Sequence, residues 1–135
     1  MKLHGFLAHL PHYTEIKSPK YGGCVVTHSG IHCGSYIRNA DRTINITESI
    51  MNAARRDEYR FLISPDIHNV PFADKKAFDR YVFCGHVTTN RLNEDHSYNV
   101  YKTPYYMDLD CGNGERYRGG KLACYCVDED RVVYI

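Results

Sequence analysis

A length of 135 residues, of which 43% are hydrophobic and 24% charged, is that of one domain with a modest core. The formal net charge of +1 gives no electrostatic reason to expect nucleic acid or an anionic membrane surface as a partner. No apolar run approaches the roughly 20 residues that cross a bilayer, and histidines interrupt the first ten residues where a signal peptide has an unbroken apolar stretch. We therefore expect a cytoplasmic protein in which residues 1–135 form a single domain.

The first third of the chain predicts a helix, two strands and a long loop. Lys2–Leu10 has apolar residues at helical spacing and is closed by Pro11, which indicates an amphipathic helix. Residues 12–23 are polar and contain a proline and a pair of glycines, a pattern that favours a short edge strand and a turn. Cys24–Thr27 is predicted to be a strand, and residues 28–45, rich in glycine, serine, asparagine and charge, a loop at its end.

The middle of the chain predicts a helix followed by an extended segment, twice over. Asn45–Glu48 resembles a capping box, in which the asparagine side chain accepts from the first turn and the glutamate reaches back. Apolar residues at helical spacing extend this helix to about Tyr59. Phe61–Ile63 is a short apolar segment stopped by a Ser-Pro-Asp sequence, and Asp74–Arg80 is predicted to be a helix that leads directly into a strand at Tyr81.

Two predicted strands end in a histidine. Tyr81–Cys84 is apolar, with charge before it and Gly85 after it, so it reads as a buried strand that places His86 at its carboxyl edge. Cys24–Thr27 is followed in the same way by His28. Loops at such edges converge over ligand sites in layered α/β folds. Two strand-end histidines can therefore build a metal site, although either one alone can simply bond to backbone carbonyls.

The tail predicts three more strands, at Tyr105–Leu109, Lys121–Cys126 and Arg131–Ile135. A glycine-rich loop over residues 111–120 separates the first two, and Val127–Asp130 reads as a short hairpin turn. Successive strands joined by turns need no crossover helix. This part is therefore predicted to be a three-strand antiparallel meander.

Six cysteines occur without a CxxC pair, and three lie in apolar, strand-like runs. Free thiols in a reducing compartment suit this pattern better than disulfides.

Four short motifs, in order, carry a resemblance to a known family. They are Thr27-His28-Ser-Gly-Ile31, Phe83-Cys-Gly85-His86-Val-Thr88, Met107-Asp-Leu-Asp110-Cys-Gly112 and Gly119-Gly-Lys-Leu122. Together they resemble the His-Ala-Gly, Gly-His-Thr, Ile-Asp-Thr-Gly and Gly-Gly-x-Leu signature of the C-terminal half of calcineurin-like metallophosphoesterases. The similarity runs from about Leu10 to the C-terminus and is strongest to the branch of serine/threonine protein phosphatases and diadenosine tetraphosphatases.

The resemblance implies a fold, a cofactor and a reaction. The fold is α/β, part of a β-sandwich with flanking helices, and the site holds two divalent metal ions, usually manganese, iron or zinc. His28 and His86 match the family's metal-ligating histidines. Two such ions activate water and neutralise phosphoryl oxygens during hydrolysis of a phosphoester or a nucleotide pyrophosphate bond. The implied substrates are a phosphorylated protein or a nucleotide.

The family's first half supplies Asp-x-His, Gly-Asp-x-x-Asp-Arg-Gly and Gly-Asn-His-Glu motifs, and none of them occurs here. Two imidazoles without a bridging carboxylate cannot hold two cations about 3.5–4 Å apart. We therefore expect this chain to be the C-terminal half of the domain and inactive alone. No arginine occurs between Phe61 and Asp79, so the role of the family's phosphate-binding arginine is unfilled or taken by a neighbour such as Arg60.

Three origins fit such a half: one chain of a split enzyme whose partner supplies the N-terminal half, a fragment of an interrupted gene, or a half-domain reused for binding. The competing function is thus a non-catalytic binding or scaffold domain that kept the fold and lost its metals. His32, four residues after His28, is a further candidate ligand or a solvated loop residue. Asp110 is expected to fix the turn at Gly112 rather than to bind metal.

Overall fold

The computed structural model describes residues 10–29, 31–63 and 66–135. The helix predicted over Lys2–Leu10 therefore lies, apart from Leu10, outside the described residues. The strands are β1 Tyr13–Ser18, β2 Gly22–Thr27, β3 Ile37–Arg38, β4 Ile44–Asn45, β5 Tyr81–Cys84, β6 Tyr101–Lys102, β7 Tyr106–Asp108, β8 Ala123–Cys126 and β9 Arg131–Tyr134. The α-helices are α1 Ile46–Arg56, α2 Glu58–Ile63, α3 Asp66–Asn69 and α4 Phe72–Lys75.

Five strands form one mixed sheet in the order β1-β2-β5-β7-β6. The three inner strands run parallel to each other, and the two outer strands pair antiparallel with their neighbours. The edge strand predicted within residues 12–23 is confirmed as β1, and the strand predicted at Cys24–Thr27 as part of β2. β5 lies at the centre of the sheet, and all four of its residues are buried, as its uninterrupted apolar sequence predicts.

Side chains alternate between two hydrophobic clusters, one on each face of the sheet. Val25, Val82 and Tyr106 pack with α1 and α2 on one face. Phe83 and Met107 pack on the other face, where Tyr125 of the β8–β9 hairpin covers them. The result is a mixed α/β fold with helices on one side of the sheet and a hairpin on the other, which confirms the α/β class.

The predicted N-terminus of the first described helix is confirmed. The side chain of Asn45 accepts a hydrogen bond from the backbone N–H of Glu48 at 3.0 Å, so it satisfies one of the unpaired donors of the first turn. α1 ends at Arg56, and Ile46 and Ile50 are fully buried on its inner face.

Two predicted elements are wrong. Phe61–Ile63 is helical rather than extended, because Asp57 accepts at its carbonyl from the N–H of Phe61 and begins a new turn directly after α1. The helix predicted over Asp74–Arg80 is confined to α4, which ends at Lys75. The chain then turns, and Phe78 forms an isolated bridge with Ile44, whose N–H donates to the carbonyl of Ala77 at 2.6 Å and whose carbonyl accepts from the N–H of Asp79 at 3.0 Å.

The predicted C-terminal meander of three strands is also wrong. β7 does not pair with β8; it is inserted in the main sheet between β5 and β6. All three residues of β7 are buried, as suits a strand with neighbours on both sides. Only β8 and β9 pair as antiparallel neighbours around the predicted turn at residues 127–130.

Candidate metal-binding site

His28 and His86 lie side by side at one edge of the main sheet. Because β2 and β5 are adjacent and parallel, their carboxyl ends meet at the same edge, and each histidine follows one of these ends. The ring centroids are 5.3 Å apart and the ring planes are inclined by 64°. The juxtaposition indicated by the strand-end pattern is therefore present, while a role of the two rings as metal ligands stays a prediction.

The two histidine-bearing loops are joined through their backbones. The N–H of Gly85 donates to the carbonyl of His28 at 3.0 Å, so the chain after β5 is fastened to the chain after β2. His86 has a φ of 77°, in the left-handed region that residues other than glycine seldom occupy. A backbone conformation of this kind is held only where the surroundings fix it, and such positions cluster at binding and active sites.

A backbone carbonyl fixes the ring of His86. Its Nε2 atom lies 2.9 Å from the carbonyl oxygen of Ile63, the last residue of α2. Since a carbonyl oxygen only accepts, Nε2 carries the proton of this bond, and in the neutral ring Nδ1 keeps its lone pair. An imidazole with one nitrogen held by a carbonyl and the other free is the usual state of a metal-ligating histidine.

The separation of the rings fits a shared ion. Two imidazoles bound to one tetrahedral ion at metal–nitrogen distances of about 2.0–2.1 Å place their centroids about 5 Å apart. An edge-to-face pair that packs without an ion spans about 4.5–7 Å. The 5.3 Å in this structure satisfies both arrangements, so the chemistry of the donors and the bond to Ile63 carry the argument further than the distance does.

An open groove of about 790 Å³ reaches the exposed ring of His28. Its walls are mainly apolar side chains from the start of the described chain, β1, β2 and α2, namely Leu10, Pro11, Tyr13, Val26 and Leu62. His12 and Glu58 add polar groups to the lining, with His12 Nε2 3.5 Å from Glu58 Oε1. The groove therefore offers space beside His28 for a molecule with an apolar part.

Other candidate residues have local structural contacts. His32 accepts from the N–H of Gly34 at its Nδ1 and caps a short 3-10 helix; it lines a separate pocket of about 230 Å³ with Arg60. Asp110 accepts from the N–H of Gly112 at 3.1 Å, so the predicted role in that turn is confirmed. These contacts do not join His32 or Asp110 to the pair formed by His28 and His86.

Sequence reasoning missed a buried polar cluster one strand further along the sheet. Asp108 is fully buried at the end of β7, and His68 of α3 has its Nε2 atom 3.1 Å from the Asp108 carboxylate. The hydroxyl of Tyr106 lies 3.0 Å from the other ring nitrogen of His68. The one signal in the sequence is a carboxylate inside an apolar strand, since a buried charge needs a partner.

Among residues 10–29, 31–63 and 66–135 there is no group of three or more histidine, cysteine, aspartate or glutamate side chains placed to hold a metal ion. Within the same ranges no helix is long and apolar enough to cross a membrane. The six cysteines are free thiols, of which Cys24, Cys84 and Cys111 are buried. No family model, curated protein or solved structure matches the chain.

Proposed function

We propose that this chain is the C-terminal half of a metal-dependent phosphoester hydrolase, in which His28 and His86 contribute two imidazole ligands. The proposal is carried by one observation: two strand-end histidines lie side by side at the shared edge of adjacent parallel strands, with Nε2 of His86 held by the carbonyl of Ile63. The ordered motifs that resemble the metallophosphoesterase family contain the same two residues.

Residues of this chain orient the two histidine rings. Ile63 holds Nε2 of His86 through its carbonyl, so that Nδ1 is the nitrogen available to an ion. His28 presents an exposed ring from the neighbouring loop, and the backbone bond from Gly85 keeps the two loops together. His28 and His86 would hold a divalent ion there, which would supply Lewis-acid chemistry toward a phosphoryl oxygen and water.

Two imidazoles fill only part of the coordination sphere of manganese, iron or zinc, so the carboxylates must come from elsewhere. We propose that a complementary N-terminal half supplies them, and that the substrate is a phosphorylated protein or a nucleotide. Hydrolysis is then absent from this chain alone and appears only when the complementary half is added.

The first test is zinc binding by the purified chain, measured by titration calorimetry. Replacing either ligand, His28→Ala or His86→Ala, should weaken zinc affinity at least about tenfold, because one of two nitrogen donors is lost. His96→Asn is a matched control, since His96 is exposed and its positive φ is tolerated by asparagine. Equal affinity in all four proteins would contradict the proposed site.

The second test is hydrolysis of 4-nitrophenyl phosphate with manganese, by this chain alone and mixed with a polypeptide carrying the Gly-Asp-x-x-Asp-Arg-Gly half. Turnover only in the mixture, and its loss with His86→Ala, supports the split enzyme. Turnover by the chain alone would show that the absent carboxylates are not needed.

The second candidate function is a non-catalytic binding domain. It is favoured by the edge-to-face packing of the two rings, which needs no ion. In that case substitution of either histidine changes the stability of the fold and leaves zinc affinity unchanged.

A further inference from the structure

His68 and Asp108 form a buried polar contact outside the histidine pair. The side chain of His68 is 8% exposed and that of Asp108 is fully buried. Nε2 of His68 lies 3.1 Å from Oδ2 of Asp108, but the ring N–H is not aligned with this contact, so it is an electrostatic contact rather than a well-formed hydrogen bond. A buried carboxylate without such compensation is strongly unfavourable.

The proton positions in this cluster follow from its donors. A carboxylate repels a nitrogen lone pair, so Nε2 of His68 carries a proton and Nδ1 accepts from the hydroxyl of Tyr106 at 3.0 Å. Burial raises the pKa of Tyr106, which keeps this hydroxyl protonated as a donor. Lys75 donates to the backbone carbonyl of His68 at 3.2 Å and so holds α3 in place from the other side.

The carboxylate of Asp108 also shapes the turn that supports the His86 loop. Its Oδ1 atom accepts from the N–H of Asp110 at 2.8 Å. The carbonyl of Asp110 in turn accepts from the N–H of Thr89 at 2.9 Å, three residues after His86. The loop that carries His86 therefore rests on a turn whose geometry depends on Asp108.

The helical side supports the same ring. Nε2 of His86 is bonded to the carbonyl of Ile63 at the end of α2, and His68 lies in α3, the next helix along the chain. One support of His86 is thus the carbonyl of Ile63, and the other is the turn that Asp108 stabilises.

We propose that His68 is a positioning residue for the histidine pair: through Asp108 it holds the turn that supports the loop and ring of His86. The part concerning metal affinity rests on the proposed function. The orientation of the ring does not, because it is a property of the chain without any ion.

The test measures the environment of the His86 ring and the affinity for zinc separately. Imidazole ¹H–¹⁵N correlation spectra of the full chain at constant pH report the protonation and hydrogen bonding of each ring nitrogen of His86. His68→Phe should move the His86 nitrogen resonances and raise the zinc dissociation constant about tenfold or more. His68→Gln, whose amide N–H can still face Asp108, should have a smaller effect, and His96→Asn should have none.

The outcomes separate the two proposals. If the wild-type chain binds no zinc but His68→Phe moves the His86 resonances, the proposed function fails and the positioning role holds. If a folded His68→Phe leaves those resonances unchanged, the positioning role is refuted, whatever happens to zinc affinity. If circular dichroism shows that His68→Phe is unfolded, His68→Gln and Tyr106→Phe decide by the same criterion, since each removes only part of the contact.

Discussion

Replacing Gly120 by alanine should strongly destabilise the protein, because two backbone segments touch at this glycine. A Cβ atom at residue 120 would lie 1.9 Å from the carbonyl oxygen of Gly112 and 3.0 Å from the carbonyl carbon of Glu115. These are backbone atoms, so no side-chain rotation can relieve the clash. The segments would have to separate by roughly 1 Å or more to restore ordinary contact distances.

The expected cost combines overpacking with weakened hydrogen bonds. Overpacking a tightly packed site costs about 1–3 kcal/mol. The same separation stretches the bond from the N–H of Gly120 to the carbonyl of Glu115 and that from Lys121 to Cys111, each worth about 0.5–1.5 kcal/mol. We therefore expect Gly120→Ala to lower the free energy of unfolding by about 2–6 kcal/mol, a large part of the about 5–15 kcal/mol typical of a domain.

Urea unfolding followed by circular dichroism measures this change. Gly114→Ala is the matched control in the same loop, because a Cβ atom there meets nothing within 4 Å. The control should stay within about 0.5 kcal/mol of the wild type. A free energy of unfolding for Gly120→Ala equally close to the wild type would refute the close approach of residues 112 and 120.

Two further predictions concern the hairpin and α1. Hydrogen bonds from Lys20, Tyr125 and Lys102 hold the pKa of Asp130 well below its usual range. The ionised Asp130 side chain therefore stabilises the fold at pH values above the unfolded-state pKa of about 3.9, and this stabilisation is lost as the pH falls through the lowered pKa of the folded state. Asp130→Asn should thus lower the unfolding midpoint more at pH 7 than at pH 2. Asp128→Asn, in the same turn, should leave the midpoint unchanged at both pH values. An equal loss for Asp130→Asn at both pH values would contradict this prediction. Asn45→Ala should lower the free energy of unfolding by about 1 kcal/mol, and Asn45→Ser by much less, because a serine hydroxyl can still accept a hydrogen bond from the first turn of α1. Equal losses for the two variants in thermal unfolding would exclude the capping role.

The elements that could be predicted are those whose stability is decided by nearby residues. The four consecutive apolar residues of β5 predict a strand buried on both faces, and it forms the centre of the sheet. Asn45 and Glu48 predict the start of α1 through a bond within one turn. Residues 127–130 predict the β8–β9 hairpin because a short polar turn joins two apolar runs.

The elements that could not be predicted depend on partners distant in the sequence. Residues 77–79 leave the helical path after α4 because the backbone of Ile44 bonds to Ala77 and Asp79, and no local pattern contains that information. β7 looks like the first strand of a meander, but it pairs in parallel with β5, far earlier in the chain, and so joins the main sheet. In both cases a tertiary backbone contact overrides the local pattern.

The histidine pair combines a feature that local sequence predicts with one that depends on distant parts of the chain. The sequence predicts that His28 and His86 each follow a strand, and the parallel pairing of β2 with β5 is enough to bring both rings to one edge. The partner of His86 could not be predicted, because the acceptor is the backbone carbonyl of Ile63, and every residue type has such a carbonyl. What makes Ile63 the partner is the position of the end of α2, which is stabilised by long-range packing. The juxtaposition of two strand-end side chains can thus be predicted from the sequence, whereas the backbone groups that orient them require the fold.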